Sequence, residues 1–186
     1  MAAPGLDRPD APLPLGGGFK LRPWRRDDAG ALVAALDGDT EVSRWITVIP
    51  QPYRADDAEA FLAATIRDWD AGRGGAFAIV DDRDAPVGSI GLDVTGYDAP
   101  CIGYWVAEAA RGRGLATRAA RAVAQLAFDV VGADRVILYA EAENAASRAV
   151  ARRAGFGERG LAQLGDGITR ILYELRGGQP VRRVAE

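Results

Sequence analysis

The sequence predicts a mixed α/β fold: a largely antiparallel sheet with one central parallel strand pair and about four helices. Three observations carry this expectation. "AFAIVDD", "PVGSIGLDV" and "PCIGYWVA" are consecutive apolar runs separated by turn residues, the pattern of neighbouring antiparallel strands. "LATRAARAVAQLAFDVV" lies between "PCIGYWVA" and "RVILYAEA", so strand, helix and strand follow as a right-handed crossover that leaves its two strands parallel. Helical patterns gather near the start of the chain instead of alternating with every strand, which argues against a doubly wound sheet.

In chain order, "GFKLRPW" reads as the first strand and "RDDAGALVAAL" as a helix with carboxylates in its first turn, where the helix dipole favours them. "ADDAEAFLAATIRDW" is a second helix, stopped by the glycines of "AGRGG". The turn "DDRDAP" connects the first two central strands. In "LATRAARAVAQLAFDVV" the apolar positions Leu115, Ala119, Ala122, Val123, Leu126, Ala127 and Val130 recur at three and four residues, the stripe of a helix lying on a sheet. "RVILYAEA" is a buried strand. "NAASRAVARRAGF" is a short helix with Asn144 as N-cap and Gly155 just past its end. "ITRILYELR" closes the sheet. Residues 18–176 are the expected domain; residues 1–17, dense in Pro, Gly and Ala, and residues 177–186 are expected to be flexible tails.

The 186 residues, 48% hydrophobic and 26% charged, suit one soluble globular domain. No apolar run approaches the ~18 residues that span a bilayer. A net charge of −3, with arginines scattered among as many carboxylates, argues against nucleic-acid binding. Cys101 is the single cysteine, which excludes an intramolecular disulfide; with no recognisable secretion signal, the expected compartment is reducing and cytoplasmic. There is no histidine, which removes the commonest general base and nearly every usual zinc site. No metal is expected. Catalysis must therefore use carboxylates, hydroxyls, backbone groups or Cys101, and Cys101 has nothing basic nearby in sequence to lower its pKa, so it reads as a core residue.

The most informative stretch is "YWVAEAARGRGLATRAARAV", Tyr104 to Val123. Glycines between a strand and a helix let the backbone approach a ligand, and the unpaired N–H groups of a helix start favour an anion such as phosphate. Three phosphate motifs compete. Gly112, Gly114 and Glu141 superficially fit the dinucleotide fingerprint, but its third small position is Thr117, the loop after Val106 is too long for the tight turn, and too little chain follows for a second nucleotide half. A P-loop needs a lysine that is absent. The pattern R-x-x-G-x-A is met by Arg111, Gly114 and Ala116.

In that pattern the chain resembles the GNAT superfamily of acyl-CoA-dependent N-acetyltransferases, whose pyrophosphate loop has the form [QR]-x-x-G-x-[GA]. "IGYWV" before the loop, "ENAASRAVARRAGF" beyond it and "LRPWRRDDAGAL" near the start extend the resemblance to about residues 18–176, and to the branch that acetylates ribosomal-protein amino termini. The resemblance implies a GNAT-type sheet whose central parallel strands, "IGYWVA" and "VILYAE", splay apart around the pantetheine arm of acetyl-CoA. It implies backbone groups near Trp105, Val106 and Ala107 for the pantetheine and acetyl carbonyl. N–H groups of Arg111, Gly112, Arg113, Gly114, Leu115 and Ala116 would take the pyrophosphate, with the Thr117 hydroxyl as a further donor. Asn144 would bond the pantetheine arm as well as cap its helix.

Many members protonate the leaving thiolate with a tyrosine four residues before the Gly-Phe pair; here that place is Ala151. The ribosomal-protein branch offers instead a serine three residues after the helix-opening asparagine, which makes Ser147 the expected acid. For the base, Asp166 is the first candidate, Asp93 and Glu108 the next, and an ordered water the remaining option. The acceptor pocket is implied along "TEVSRWITVIPQPYRADD", where Trp45 and Tyr53 read as half-buried packing with an aromatic wall as the alternative. The implied activity is direct transfer, in a ternary complex, from acetyl-CoA to a protein amino terminus or a small-molecule amine. The alternative is a noncatalytic acyl-CoA-binding or regulatory module. The expected partner is the amine acceptor, with no membrane or nucleic acid, in a monomer or homodimer.

Overall fold

The computed structural model describes residues 6–178 of the chain. Eight strands, β1 (Leu13–Gly16), β2 (Phe19–Pro23), β3 (Gly74–Val80), β4 (Pro86–Asp93), β5 (Cys101–Val106), β6 (Arg135–Ala140), β7 (Gly157–Gln163) and β8 (Thr169–Arg176), join in one sheet in the order β1-β2-β3-β4-β5-β6-β8-β7. All neighbours are antiparallel except β5 and β6. The helices are α1 (Ala29–Leu36), α2 (Thr40–Trp45), α3 (Ala55–Asp70), α4 (Leu115–Leu126) and α5 (Ala145–Ala154). This is the mixed sheet the sequence predicts, with α2 as a short helix that its pattern did not announce.

Strand alternation divides the interior between the two faces of the sheet. Phe77 and Ile79 of β3, Ile90 and Leu92 of β4 and Val136 and Leu138 of β6 pack with Leu115, Ala119 and Val123 of α4 and Ala151 of α5. The intervening Ala76, Ala78 and Val80 pack on the other face with Leu32 and Leu36 of α1, Val42 of α2 and Leu62 of α3, together with Trp24, Tyr53 and Trp105. Arg22 joins the layers: its guanidinium forks onto both oxygens of Asp28 at 2.8 Å, and Asp28 also accepts from the Arg25 N–H where α1 begins.

The phase of α4 departs from its predicted stripe. Ala120 and Ala124 are fully buried, whereas Val130 is half exposed at 50%. Ala120 and Ala124 lie on the buried face of regular α4, one position beyond Ala119 and Val123, while a π-helical turn over Ala127–Val131 delays the rotation after α4 and turns Val130 outward. Asn144 and Gly155 behave as the sequence suggests: the Asn144 side chain accepts from the Ser147 N–H, and Gly155 ends α5 in the left-handed region.

The expectation of a flexible segment over 1–17 is corrected for the part the structure describes. Leu13–Gly16 is strand β1, hydrogen-bonded to β2, and Leu6 is fully buried beside α3, its N–H donating to the Gly72 carbonyl at 3.2 Å. Leu6 and Leu15 contribute apolar area to the core, which outweighs a composition rich in turn formers. Of the second expected tail, Gly177 and Gly178 form a turn, and 179–186 lie outside the described residues.

One irregularity positions the site. β4 accompanies β5 as far as Val106 and β8 accompanies β6 as far as Ala140, but β5 and β6 pair only at Cys101–Ile137 and Ile102–Leu138. Beyond Ile102 they diverge. This splay lies at the C-terminal ends of the parallel pair, where open α/β sheets hold their ligands.

Candidate active site

In an antiparallel ladder the backbone groups of alternate residues face opposite edges. The Ala107 N–H donates to the Val87 carbonyl at 3.0 Å, which sets the alternation along β5: Tyr104 and Val106 turn their N–H and C=O groups away from β4, into the splay. Past Ile102, β6 no longer pairs with them. The Arg111 guanidinium supplies one substitute, its Nε donating to the Val106 carbonyl at 3.0 Å.

After β5 the chain makes one 3-10 turn over Glu108–Ala110, closed by the Arg111 N–H donating to the Glu108 carbonyl at 3.2 Å. Gly112 and Gly114 then take φ of +78° and +70°. A side chain at either place would find room, since a Cβ on Gly112 would meet nothing within 4 Å and one on Gly114 only Arg118 Nη1 at 3.6 Å. Glycine is required there by backbone conformation, not by space. The consequence is a row of donors: the N–H groups of Gly112, Arg113, Gly114, Leu115, Ala116 and Thr117 have no hydrogen-bond acceptor among the described residues, and the first bond of α4 runs from Arg118 to Gly114. Such a row at the start of a twelve-residue helix fits a pyrophosphate.

A cleft of about 1360 Å³ runs from this row through the splay to the opposite face of the sheet. Its walls include Trp105, Val106, Arg111, Gly112, Gly114, Leu115, Ala116, Thr117, Asn144, Ser147 and Asp166. Ala107 and Arg113, also expected at the site, are not part of the wall; the Ala107 N–H is taken by Val87, and the Arg113 guanidinium lies over the Ala109 carbonyl at 3.4 Å. Glu108 is exposed in the 3-10 turn and outside the wall.

Ser147 is held by a residue that the motifs did not single out. The Tyr104 hydroxyl lies 2.8 Å from Ser147 Oγ and 3.3 Å from the Ser147 carbonyl. Burial pushes the Tyr104 phenol up to about 12, only partly opposed by the Ser147 hydrogen bond, so it stays protonated and able to donate. Ala151, where many relatives carry a tyrosine, is fully buried against the sheet. The alternation of apolar residues in "IGYWV" was the available signal: it turns Tyr104 to the face carrying α4 and α5 and Trp105 to the other.

Asp166 sits in the turn between β7 and β8, bound bidentately by Arg170 at 2.7 and 3.0 Å and by the Ile168 N–H at 2.9 Å. Arg170 first, and the Ile168 N–H second, hold its carboxyl below the usual carboxylate range. This makes it a weaker base than a free carboxylate. Asp93 also lines the cleft, its Oδ1 accepting from the Thr95 and Gly96 N–H groups at 2.8 Å. Burial pushes the Cys101 thiol up to about 12, which agrees with a core residue and not a nucleophile.

The other side of the cleft, where the resemblance implies the acceptor, is walled by Glu41, Val42 and Trp45 of α2, by Ile46, Val48, Ile49 and Pro50 of the loop that follows, by Tyr53, and by Asp57 and Phe61 of α3. Trp45 is half-buried, its indole N–H on Glu41 at 2.8 Å and the Arg44 guanidinium 4.7 Å above its ring. Tyr53 is 5% exposed and packs in the core below it. Val48 projects from this wall at 86% exposure.

A splayed parallel pair bounded by unpaired N–H groups at a helix start has the form expected of the donor site of an acyl-CoA-dependent acyltransferase. The chain belongs to the acetyltransferase (GNAT) domain family, whose model matches residues 19–157. A Bacillus subtilis (strain 168) protein with the provisional name ribosomal N-acetyltransferase YdaF is 42% identical over 74 residues, a match spanning 40% of each chain. RimJ from Mycobacterium smegmatis, solved with CoA-disulfide, is 27% identical with a TM-score of 0.78, over 90% of this chain and 86% of that one. A Vibrio cholerae structure described as a ribosomal-protein-serine acetyltransferase shares the fold, with a TM-score of 0.77 at 21% identity, over 91% of this chain and 99% of that one. Among the described residues no cluster of His, Cys, Asp and Glu could hold a metal ion, and no helix is long and apolar enough to cross a membrane.

Proposed function

We propose that the chain transfers the acetyl group of acetyl-CoA directly to the amino terminus of a protein, with a ribosomal protein as the leading substrate class. The observation that carries this reading is the continuity of the cleft, which joins the unpaired N–H row of Gly112–Thr117 to an open, side-chain-built wall on the far face of the sheet. The name of the Bacillus subtilis relative supports the choice of a ribosomal protein.

In this reading the N–H row takes the pyrophosphate, Asn144 bonds the pantetheine arm, and the Val106 N–H, free in the splay, faces the thioester carbonyl and stabilises the oxyanion as charge develops. Ser147 donates its proton toward the departing sulfur while Tyr104 donates to Ser147, so that the serine hydrogen points outward. Asp166 stays ionised beside Arg170 and draws in the cationic amine, which loses its extra proton through an ordered water. Attack forms the amide C–N bond and breaks the C–S bond; Ser147 protonates the departing thiolate and regains a proton through water from the attacking nitrogen, which loses one on becoming the amide.

The test is thiol release from acetyl-CoA with peptides carrying ribosomal-protein amino termini, with mass spectrometry to locate the acetyl group. The expected result is acetylation of the α-amine. Binding of acetyl-CoA with no turnover on any amino-terminal peptide or small amine would make the chain a noncatalytic acyl-CoA-binding module instead.

A further inference from the structure

The side chain of Arg111 does something that the phosphate-loop pattern does not ask of it. Its N–H is taken by the Glu108 carbonyl, and its guanidinium turns away from the N–H row. Nε donates to the Val106 carbonyl at 3.0 Å, while Nη2 reaches both oxygens of Asp39 at 2.7 and 2.5 Å. The peptide group between Val106 and Ala107 is thus held at both ends, by Arg111 at its carbonyl and by Val87 at its N–H. Arg111 stands where β6 would have paired had the strands not diverged.

Asp39 is the other half of the link. Its side chain is 7% exposed against 34% for Arg111, and it caps α2 by accepting from the Val42 N–H at 3.2 Å. A carboxylate this buried needs its cation, so the pair holds α2 in register with the end of β5. From α2, Glu41, Val42 and Trp45 project into the acceptor half of the cleft.

We infer that Arg111 is a positioning residue: through Asp39 it fixes the acceptor wall against the donor strand, so that loading of the donor site is felt at α2. The inference rests on the acetyltransferase reading and adds to it a coupling between the two substrate sites. Since binding coupling is reciprocal, an acceptor held by α2 would in turn tighten acetyl-CoA.

Two variants isolate the link. Asp39→Asn keeps an equally good N-cap but removes the charge that faces Arg111. Arg111→Lys keeps the charge but cannot bridge a carbonyl and a carboxylate with one planar fork. Each is compared with the unaltered protein by thermal unfolding, by calorimetry with acetyl-CoA, by hydrogen exchange of residues 39–45 with and without acetyl-CoA, and by acceptor kinetics. Acetyl-CoA is expected to slow exchange over 39–45 in the unaltered protein and not in either variant. Acetyl-CoA Kd should stay within about threefold, while kcat/KM for the acceptor falls about tenfold, the scale of one lost charge-assisted hydrogen bond. Variants that weaken acetyl-CoA about tenfold with unchanged acceptor kinetics would make Arg111 a donor-binding side chain and overturn the coupling. Variants that keep both the exchange response and the kinetics would reduce the pair to packing and also overturn it. An unaltered protein that binds no acetyl-CoA would overturn the acetyltransferase reading, and this inference with it.

Discussion

The two halves of the cleft are made of different materials. On the donor side, Gly112 to Thr117 offers main-chain N–H groups, and only conformation distinguishes its two glycines from other residues. On the acceptor side, Glu41, Trp45, Tyr53, Asp57 and Phe61 offer side chains, positioned by two helices and a loop. A backbone site can hold the same ligand under many sequences, so long as the chain turns correctly; a side-chain site changes its preference with each substitution. The difference teaches that the donor is fixed by how the chain folds and the acceptor by which residues decorate it.

Substitutions at the seam between the halves should cost most. Ser147→Ala is expected to lower kcat by about 100-fold, the lower range for a lost general acid, with acetyl-CoA Kd unchanged by calorimetry. Unchanged turnover would move the proton source elsewhere. Gly114→Val tests the donor half alone: forcing a β-branched residue to positive φ costs about 1–3 kcal/mol, so acetyl-CoA should bind about ten- to 100-fold more weakly while the acceptor KM at saturating donor stays put. A loss confined to the acceptor KM would break the division between the halves.

Tyr104→Phe should lower kcat about tenfold by freeing the Ser147 hydroxyl, without changing acetyl-CoA binding. A pH profile sharpens the same point. Because burial raises the Tyr104 pKa, its proton is retained until the pH climbs toward about 12, so no alkaline limb from Tyr104 should appear below roughly pH 11. With Asp166 held ionised, the acid limb should follow the acceptor amine, rising about tenfold per pH unit up to roughly 8 for an α-amine. A limb extending above roughly pH 10 would indicate a lysine side chain instead. The smallest effect is expected from Asp166→Asn, a few-fold rise in acceptor KM, since the group is exposed and its attraction is screened by solvent.

The donor half was legible in the sequence because its requirements are local. Positive φ asks for glycine and a helix start follows directly, so Arg111, Gly114 and Ala116 carry the pattern within a few residues. What escaped was long-range. Tyr104 meets Ser147 across 43 positions and Asp39 meets Arg111 across 72, and nothing in either local pattern signals its partner. The short helix α2 escaped for another reason: six residues are too few to show a helical period, leaving only Asp39 as a capping signal. Asp166 was legible as a carboxylate and lines the cleft, but Arg170 four residues on, which limits it as a base, was readable only as part of a strand.

The pairing of β1 with β2 also matters for how the protein is handled. Leu13 lies opposite Leu21 and Pro14 opposite Lys20, so β1 covers the hydrogen-bonding edge of a strand that leads straight into the sheet. A version trimmed to begin at Gly18, as the Pro- and Gly-rich composition would encourage, would strip that cover and leave the edge of β2 open to pairing with another molecule. The penalty would show as concentration-dependent aggregation before any fall in specific activity, and it would be mistaken for a failing of the enzyme when it belongs to the missing border strand.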